Sequence, residues 1–226
     1  MVTLQSVSRI YQNGRETVRA LDAVSLEIAK GEFLSIAGPS GSGKTTMLNL
    51  IGLVDAFDEG EILLDGVGVA AMTKDARTAY RRDNLGFIFQ TYNLIPVLSA
   101  HENISFALEL LKIPRHEIAE RTDQILEEVG LAGLGNRRPS ELSGGQQQRV
   151  AIARALIKGP KIVLADEPTA NLDSKTGEEI LSLMRSINER HGTTFIFSTH
   201  DAMVMQYAKR LVTLSDGHIV TDEERP

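Results

Sequence analysis

Residues 32–54 read EFLSIAGPSGSGKTTMLNLIGLV, in which a short apolar run is followed by a glycine-rich turn and a second apolar run. The first run, Glu32 to Ala37, has the length of a buried strand. The second, Thr45 to Leu53, has a helical pattern. Between them, Gly38 to Thr45 satisfies G-x-x-x-x-G-K-[ST] in the strand-then-helix context that supports this motif. The stretch therefore predicts a phosphate-binding loop at the end of a strand.

The chemistry of this loop follows from its residue types. Glycines permit backbone dihedral angles that turn successive N–H groups towards phosphate oxygens, and the following helix adds its positive N-terminal end. Lys44 is expected to reach the β- and γ-phosphates, and the Thr45 hydroxyl to bind Mg²⁺. A glycine-rich turn with a chance lysine is the alternative, but such a match arises in roughly one chain per hundred of this length. The predicted ATP contacts are Gly38, Pro39, Ser40, Gly41, Ser42, Gly43, Lys44, Thr45 and Thr46.

Two further apolar runs also end in polar clusters. Residues 161–165 precede DEPT, and residues 193–197 precede STHD. Helical patterns separate the runs, as at residues 177–190, and strands alternating with helices predict a mostly parallel α/β sheet. Ligands bind outside the carboxyl ends of the strands in such sheets, so the three polar clusters are expected to meet at one site.

The side chains at these strand ends suggest specific roles. Asp166 has the position of a carboxylate that holds Mg²⁺ in P-loop NTPases, and the adjacent Glu167 has that of a general base for water. A solvated acidic pair at a strand terminus is the alternative. A lone histidine is more often structural, but His200 ends the third strand at the same predicted sheet edge, which favours a role at the site.

Two segments interrupt the strand–helix alternation. Residues 2–29 and 60–69 alternate as antiparallel strands do, and residues 92–155 are rich in helical pattern and punctuated by proline. The sequence thus predicts one domain over residues 1–226. Its nucleotide-binding core with a β lobe comprises about 1–91 and 156–226, and a helical lobe comprises about 92–155.

Composition narrows the classes of partner. The net charge is −6 with both signs interspersed, which argues against a nucleic-acid-binding surface. The chain has no cysteine, so disulfides and thiolate metal sites are excluded. No secretory signal is apparent, and no apolar stretch approaches the ~18 residues needed to span a bilayer. Any membrane function is therefore expected to come through a partner chain.

A second glycine-rich turn, Leu142-Ser-Gly-Gly-Gln146, precedes another helical pattern. Ser143 is a suitable N-cap residue, and a helix N-terminus with glycines is a second anion site. One nucleotide has one terminal phosphate, yet the chain offers two phosphate-binding devices. A two-fold dimer, in which each device completes the other subunit's site, accounts for both. A plain N-capped helix is the alternative for Ser-Gly-Gly taken alone.

Three motifs together resemble the ATPase subunit of ABC transporters. They are GPSGSGKTT at 38–46, LSGGQQQRVAIARAL at 142–156 and IVLADEPTANLDS at 162–174. The resemblance covers nearly the whole chain and implies ATP and Mg²⁺ as cofactors and a head-to-tail homodimer. It implies that Tyr11 stacks on adenine and that His200 contacts the γ-phosphate. Implied catalytic residues are Glu167, His200 and Gln90; implied metal ligands are Thr45, Gln90 and Asp166; implied contacts to the partner's ATP are Ser143, Gly144, Gly145, Gln146 and Asp173.

Within the family, the segments GFIFQTYNLIPVLSAHENI and RPSELSGGQQQRVAIARAL resemble the subgroup of lipoprotein-release, macrolide-export and cell-division ATPases. This implies an integral membrane permease as partner, and it implies that the chain itself is cytoplasmic and peripheral on the cytoplasmic face of the inner or plasma membrane. It also implies export or extraction of a substrate such as a lipoprotein or drug. Mechanical signalling without transport is the alternative that the cell-division resemblance implies. The chain departs from the common pattern at residues 56–59, at Ala170 and at His101.

Residues 91–106 are a candidate surface for docking a permease helix, with Tyr92, Leu94, Ile95, Pro96 and Leu98 as its apolar members. An ordinary lobe core is the alternative for each of them. Two other function classes fit less well. ABC ATPases without transport usually carry a coiled-coil insert or two ATPase units, and a P-loop kinase or GTPase has no use for the Ser143 turn.

Overall fold

The computed structural model describes residues 1–14 and 16–225, which form ten strands and seven α-helices. The strands are β1 (Val2–Asn13), β2 (Glu16–Ile28), β3 (Phe33–Ala37), β4 (Glu59–Leu64), β5 (Val67–Gly68), β6 (Leu85–Ile88), β7 (Ile162–Asp166), β8 (Thr194–Thr199), β9 (Arg210–Ser215) and β10 (His218–Glu224). The helices are α1 (Lys44–Ile51), α2 (Lys74–Asn84), α3 (Ala100–Glu109), α4 (Arg115–Glu128), α5 (Gly144–Leu156), α6 (Ser174–His191) and α7 (Ala202–Tyr207).

The larger sheet has the strand order β10-β9-β3-β8-β7-β6. Strands β9, β3, β8, β7 and β6 are parallel, and β10 pairs antiparallel with β9. Every residue of β3 and β8 is buried, as expected for parallel strands covered by helices on both faces. The predicted mostly parallel α/β sheet and its three apolar strands are confirmed.

The smaller sheet is antiparallel, with the order β2-β1-β4-β5. It confirms the antiparallel pattern predicted for residues 2–29 and 60–69. Leu4 and Ile28 of this sheet share one buried core with Met47 and Ile51 of α1 and with Ile196 of β8. The helix that follows the phosphate loop therefore packs between the two sheets, and its position depends on both.

Helices α3, α4 and α5 occupy most of residues 92–155. Ile104 and Leu108 of α3 and Ile152 of α5 belong to the same buried core as Phe195 and Phe197 of β8. These helices are thus packed continuously onto the central sheet. The lobe boundaries near 92 and 155 stay a prediction.

Asn103 fixes the loop that leads into α3. It is 1% exposed, and its Oδ1 accepts a hydrogen bond from the Ile95 N–H at 2.7 Å. Its Nδ2 lies 2.9–3.1 Å from the carbonyl oxygens of Ile95, Leu98 and Ser99. Ser99 caps α3 in a capping box with Glu102. The loop conformation is therefore specified by one buried amide rather than by its apolar residues.

Several elements carried no usable sequence signal: strands β6, β9 and β10, and helix α2, none of whose residues is buried. Within the described residues, none of the helices is both long enough and apolar enough to span a membrane.

Candidate functional site

The loop between β3 and α1 brings backbone against backbone at two glycines. Gly38 has φ of 152° and Gly43 has φ of 105°. A Cβ on Gly38 would lie 2.2 Å from the Leu214 carbonyl oxygen, and one on Gly43 would lie 2.4 Å from that of Ala20. Neither position therefore tolerates a side chain, because rigid backbone cannot move away. The loop is held against β9 on one side and β2 on the other.

Lys44 lies inside this loop. It is 8% exposed, and its Nζ donates hydrogen bonds of 2.8 Å to the carbonyl oxygens of Gly38 and Pro39. Helix α1 begins at this residue, so its free N–H groups and the ammonium group share one location. The arrangement concentrates positive charge where the sequence predicts phosphates.

Asp166 and Thr45 face each other across the site. Asp166 ends β7, and its carboxylate oxygens lie 3.4 and 3.5 Å from the Thr45 Oγ1. A hydroxyl and a carboxylate are hard oxygen ligands of the kind Mg²⁺ prefers, and Mg²⁺ takes its remaining positions from water and phosphate oxygens. These two residues fit the predicted metal site. Bound Mg²⁺ would supply charge neutralisation for phosphoryl transfer.

Glu167 is held by three neighbours. Its backbone has φ of 48°, outside the region usual for a non-glycine residue, and its N–H donates to the Ser198 carbonyl at 2.9 Å. Thr199 Oγ1 donates to its Oε2 at 3.2 Å, and His200 Nδ1 lies 2.6 Å from its Oε1. Its side chain is 16% exposed, against 70% for His200. A shielded carboxylate oriented by a histidine is suited to accept a proton from water.

A cavity of about 630 Å³ joins these groups. Lys44, Thr45, Gln90, Glu167 and His200 all line it, which confirms that the three polar clusters meet at one site. The predicted loop contacts Pro39, Ser40, Gly41, Gly43 and Thr46 also line it, whereas Gly38, Ser42 and the predicted metal ligand Asp166 do not. The Gln90 carbonyl accepts a 2.8 Å hydrogen bond from Asn171, which ties it to the segment after Glu167.

The second glycine-rich turn lies elsewhere. Ser143 caps α5, accepting a hydrogen bond from Gln146 N–H at 3.3 Å, and the Gln146 side chain accepts one from Ser143 N–H at 3.0 Å. The N-cap predicted for Ser143 is confirmed. None of the turn residues lines the cavity that contains Lys44; they are Ser143, Gly144, Gly145 and Gln146.

Asp173 lies beside that turn. It caps α6 and accepts hydrogen bonds from the Thr176 hydroxyl at 2.7 Å and from its N–H at 3.0 Å. These bonds lower the pKa of the Asp173 carboxyl, so it is charged at neutral pH. A Cβ on Gly145 would lie 2.5 Å from Thr176 Cγ2. The structure thus gathers the residues predicted to act in trans into one surface cluster, separate from the cavity.

Tyr11 is positioned by an ionic cluster. Its hydroxyl donates to Asp55 Oδ2 at 2.6 Å, and the Arg9 guanidinium lies 4.6 Å from its ring centre. Burial raises the pKa of Asp55, but hydrogen bonds from Tyr11 and the Ala56 N–H, together with the Arg9 charge, outweigh it and lower the pKa. Tyr11 does not line the cavity, although Val18, opposite it on β2, does. Stacking on adenine stays a prediction.

Sequence reasoning missed four residues that line the cavity. Val18, Arg19 and Ala20 belong to β2, and Asp216 follows β9. No motif marks them, because they reach the site through contacts between distant segments such as Gly43 with Ala20.

Comparison with known families identifies the family to which this chain belongs. Residues 21–170 match the family model described as ABC transporter. The chain belongs to this family. It is an ABC transporter ATP-binding subunit, and membership implies ATP binding and ATPase activity. The resemblance drawn from the three motifs is confirmed.

Relatives of this ABC subunit span its whole length. The ABC transporter ATP-binding protein MJ0796 of Methanocaldococcus jannaschii is 46% identical over 99% of this chain and 97% of its own. The macrolide export ATP-binding/permease protein MacB of Escherichia coli is 45% identical over 98% of this chain, which spans only 34% of MacB.

Solved structures agree on the fold. The dimeric structure of a post-hydrolysis state of MJ0796 bound to ADP and Pi has a TM-score of 0.91 and 45% identity, with both chains covered completely. The cbiO1 protein of Clostridium perfringens, part of the transporter complex cbiONQ, has a TM-score of 0.90 at 28% identity, covering 99% of this chain and 88% of that one.

Two glycines at positive φ, one inside the phosphate loop and one outside it, provide a matched test of the loop geometry. Gly43→Ala is expected to abolish binding of a fluorescent ATP analogue, because its methyl group would meet the Ala20 carbonyl at 2.4 Å. Gly66→Ala, in the turn between β4 and β5, also introduces a residue at positive φ, 77°, but into open space away from the cavity. It should cost only the local strain of about 1–2 kcal/mol. Equal loss of binding in both variants would contradict this account of the loop.

Proposed function

We propose that this ABC subunit dimerises head to tail around two ATP–Mg²⁺ and drives a separate membrane permease from the cytoplasmic face. The observation that carries the dimer is the separation of two phosphate-binding devices. Lys44 lines the cavity, whereas Ser143 lies in a different surface cluster beside Asp173. In the dimer, the Ser143 turn of each subunit covers the ATP held by the other. Two solved structures of MJ0796 are described as dimeric, which supports dimerisation of this chain.

Hydrolysis uses residues already oriented in the chain. Thr45, Asp166 and Gln90 would hold Mg²⁺, which would neutralise charge on the phosphates. Lys44 binds the β- and γ-phosphates, and the partner's helix N-terminus at Gly144 and Gly145 contacts the γ-phosphate. Glu167 accepts the proton of the attacking water while His200 holds the carboxylate and reaches the γ-phosphate. Because phosphoryl transfer depends on positioning and charge stabilisation, activity requires the assembled interface.

Removing the Glu167 base should separate binding from hydrolysis. Glu167→Gln is expected to retain ATP affinity but to lose about 100-fold or more in turnover, the usual effect of removing a general base. In size-exclusion chromatography with ATP–Mg²⁺ the variant should elute at twice the 24.7 kDa monomer mass, because hydrolysis no longer opens the ATP-bound dimer. For the unmodified chain, specific activity should rise with protein concentration. Full activity per chain at the lowest concentrations would contradict the dimer.

The permease contact lies at an apolar groove beside α3, which we call the lateral groove. Its volume is about 630 Å³, with an adjoining recess of about 270 Å³. Its apolar walls are Val54, Leu85, Phe87, Phe89, Phe106, Ala107 and Leu110. Val54 and Leu110 are 60% and 56% exposed, and Phe89 and Phe106 are 39% and 42% exposed. The groove therefore groups several exposed large apolar side chains, as interaction sites do.

This groove differs from the docking surface expected at residues 91–106. Of that stretch, Phe106 and Asn93 line the groove or its recess, whereas Tyr92, Leu94, Ile95, Pro96 and Leu98 do not. Leu94 packs against the core, and Ile95 and Leu98 lie in the loop held by Asn103. Phe89 and Leu110 are therefore the better anchors for a permease helix.

Export or extraction of a substrate such as a lipoprotein or drug is the direction of transport that we propose. Support comes from the MacB relatives, described as macrolide export ATP-binding/permease proteins. This chain matches about a third of the Escherichia coli MacB protein, whose name says that it also contains a permease. Mechanical signalling through a membrane partner is the alternative, and the same groove would serve it.

A charged side chain placed in the lateral groove should weaken binding of the permease without changing the ATPase activity of the isolated chain. Leu110→Glu is expected to lower recovery of the permease at least about tenfold when tagged chain is isolated from detergent-solubilised native membranes. Its ATPase activity in isolation should be unchanged.

Val220→Glu is the matched control, because Val220 is equally exposed, 55% against 56%, but lies on β10. It should recover the permease normally. Recovery of only soluble partners by the unmodified chain would contradict the transporter function, and equal recovery by both variants would contradict the groove.

A further inference from the structure

Lys158 lies between the end of α5 and the end of α2, where it lines both the lateral groove and its recess. Its Nζ donates to the carbonyl oxygens of Arg81, at 3.4 Å, and Arg82. Burial lowers the pKa of Lys158 to about 8, with Asp83 opposing and Arg82 adding to the effect. The ammonium group is therefore partly removed from water yet held in place by the helix terminus.

No carboxylate in the described residues forms an ion pair with Lys158. Asp83, the acidic residue that acts on it, has its carboxylate bonded to Arg82 at 2.7 and 3.1 Å. Glu128, across a neighbouring cavity, is paired with Arg190 and His191. Lysines elsewhere on the surface do find carboxylates, as Lys161 does with Asp65 and Lys209 with Glu189.

The rest of the groove adds positive charge and no negative charge. Arg154, whose pKa burial lowers, donates to the carbonyl oxygens of Tyr92 at 2.7 Å and Asn93 at 2.5 Å. Arg81 and Arg82 of α2 line another wall, and among the residues that the structure describes no aspartate or glutamate lines the groove or its recess. Sheltered charges in proteins are usually paired. Here the nearby Asp83 is already bonded to Arg82, so Lys158 has no ion-pair partner of its own among the described residues.

We infer that the permease segment occupying the lateral groove carries an aspartate or glutamate whose carboxylate pairs with Lys158. The segment covers Phe89 and Leu110 with apolar residues and turns the acidic one towards the end of α2. This inference rests on the proposed function and adds the chemistry of the partner.

The pair would act mainly in selecting the partner. Covering the groove with an uncharged apolar helix would bury Lys158 without a counter-ion, which is costly, whereas a carboxylate at that position removes the cost. An apolar groove alone would accept any amphipathic helix. The lysine restricts it to helices with one acidic residue at the correct position.

A zero-length carbodiimide cross-linker tests this contact directly, because it joins an amine only to a carboxylate that touches it. Tagged full-length chain is cross-linked in native membranes, isolated, digested and sequenced by mass spectrometry. The expected product is an isopeptide bond between Lys158 and an aspartate or glutamate in a cytoplasmic segment of a membrane-spanning protein. Lys158→Met should lose this product and lower permease recovery by roughly 30-fold, as for removal of one member of a close charge pair.

Lys74→Met is the matched control, since Lys74 is an exposed lysine at the start of α2 and does not line the groove. Recovery should be unchanged in this variant, and both variants should keep their ATPase activity in isolation. If the permease is recovered and cross-links only through other lysines, or if Lys158→Met recovers it normally, the inference is wrong while the transporter function stands. If no membrane protein is recovered at all, the proposed function itself fails.

Discussion

The parallel register of β3, β8 and β7 is the constraint on which the site depends. Ala37 pairs with Thr199, and Asp166 pairs with Ser198, so the three strands end at one edge of the sheet. The residues that follow each strand therefore meet without any long side chain having to reach across. Lys44 comes from the first, Asp166 and Glu167 from the third, and His200 from the second. A shift of one residue in β7 would turn Asp166 to the other face of the sheet.

The same packing keeps the Ser143 turn out of this cavity. Helix α5 is buried along Val150, Ala151, Ile152 and Ala153, which fixes its axis against the core. Its N-terminus lies beside Asp173 and Thr176 rather than beside Lys44. The turn and the cavity are therefore separate within one chain. The proposed dimer would bring the turn of one subunit to the cavity of the other.

Motifs with local physical causes were predictable from the sequence. The phosphate loop, the N-cap at Ser143 and the three strand ends depend on residues adjacent in the chain, and the structure places each as expected. The lateral groove was not predictable, because Phe89 and Leu110, which line it, are brought together by tertiary packing. Docking at residues 91–106 stays a prediction, and Asn103 holds the Ile95–Ser99 part of that stretch.

Contacts between distant segments were also invisible to sequence reasoning. The approach of Ala20 to Gly43, the cluster of Arg9 and Asp55 around Tyr11, and the burial of Lys158 each join positions far apart in the chain. No spacing rule encodes them, because they depend on how the two sheets and α2 pack. The strands β9 and β10 were missed for a related reason, since they lie beyond the last motif.

The most direct test of the account is complementation between two inactive variants. Lys44→Ala removes the phosphate contact of a subunit's own cavity, and Ser143→Arg blocks the turn offered to its partner. Each variant alone has a defect in both sites of its dimer, and each should hydrolyse ATP poorly. A mixed head-to-tail dimer has one site with both devices intact, so an equimolar mixture should recover up to about a quarter of normal activity. If mixing restores nothing while both variants remain folded by thermal unfolding, the Ser143 turn acts within its own chain and the shared site is wrong.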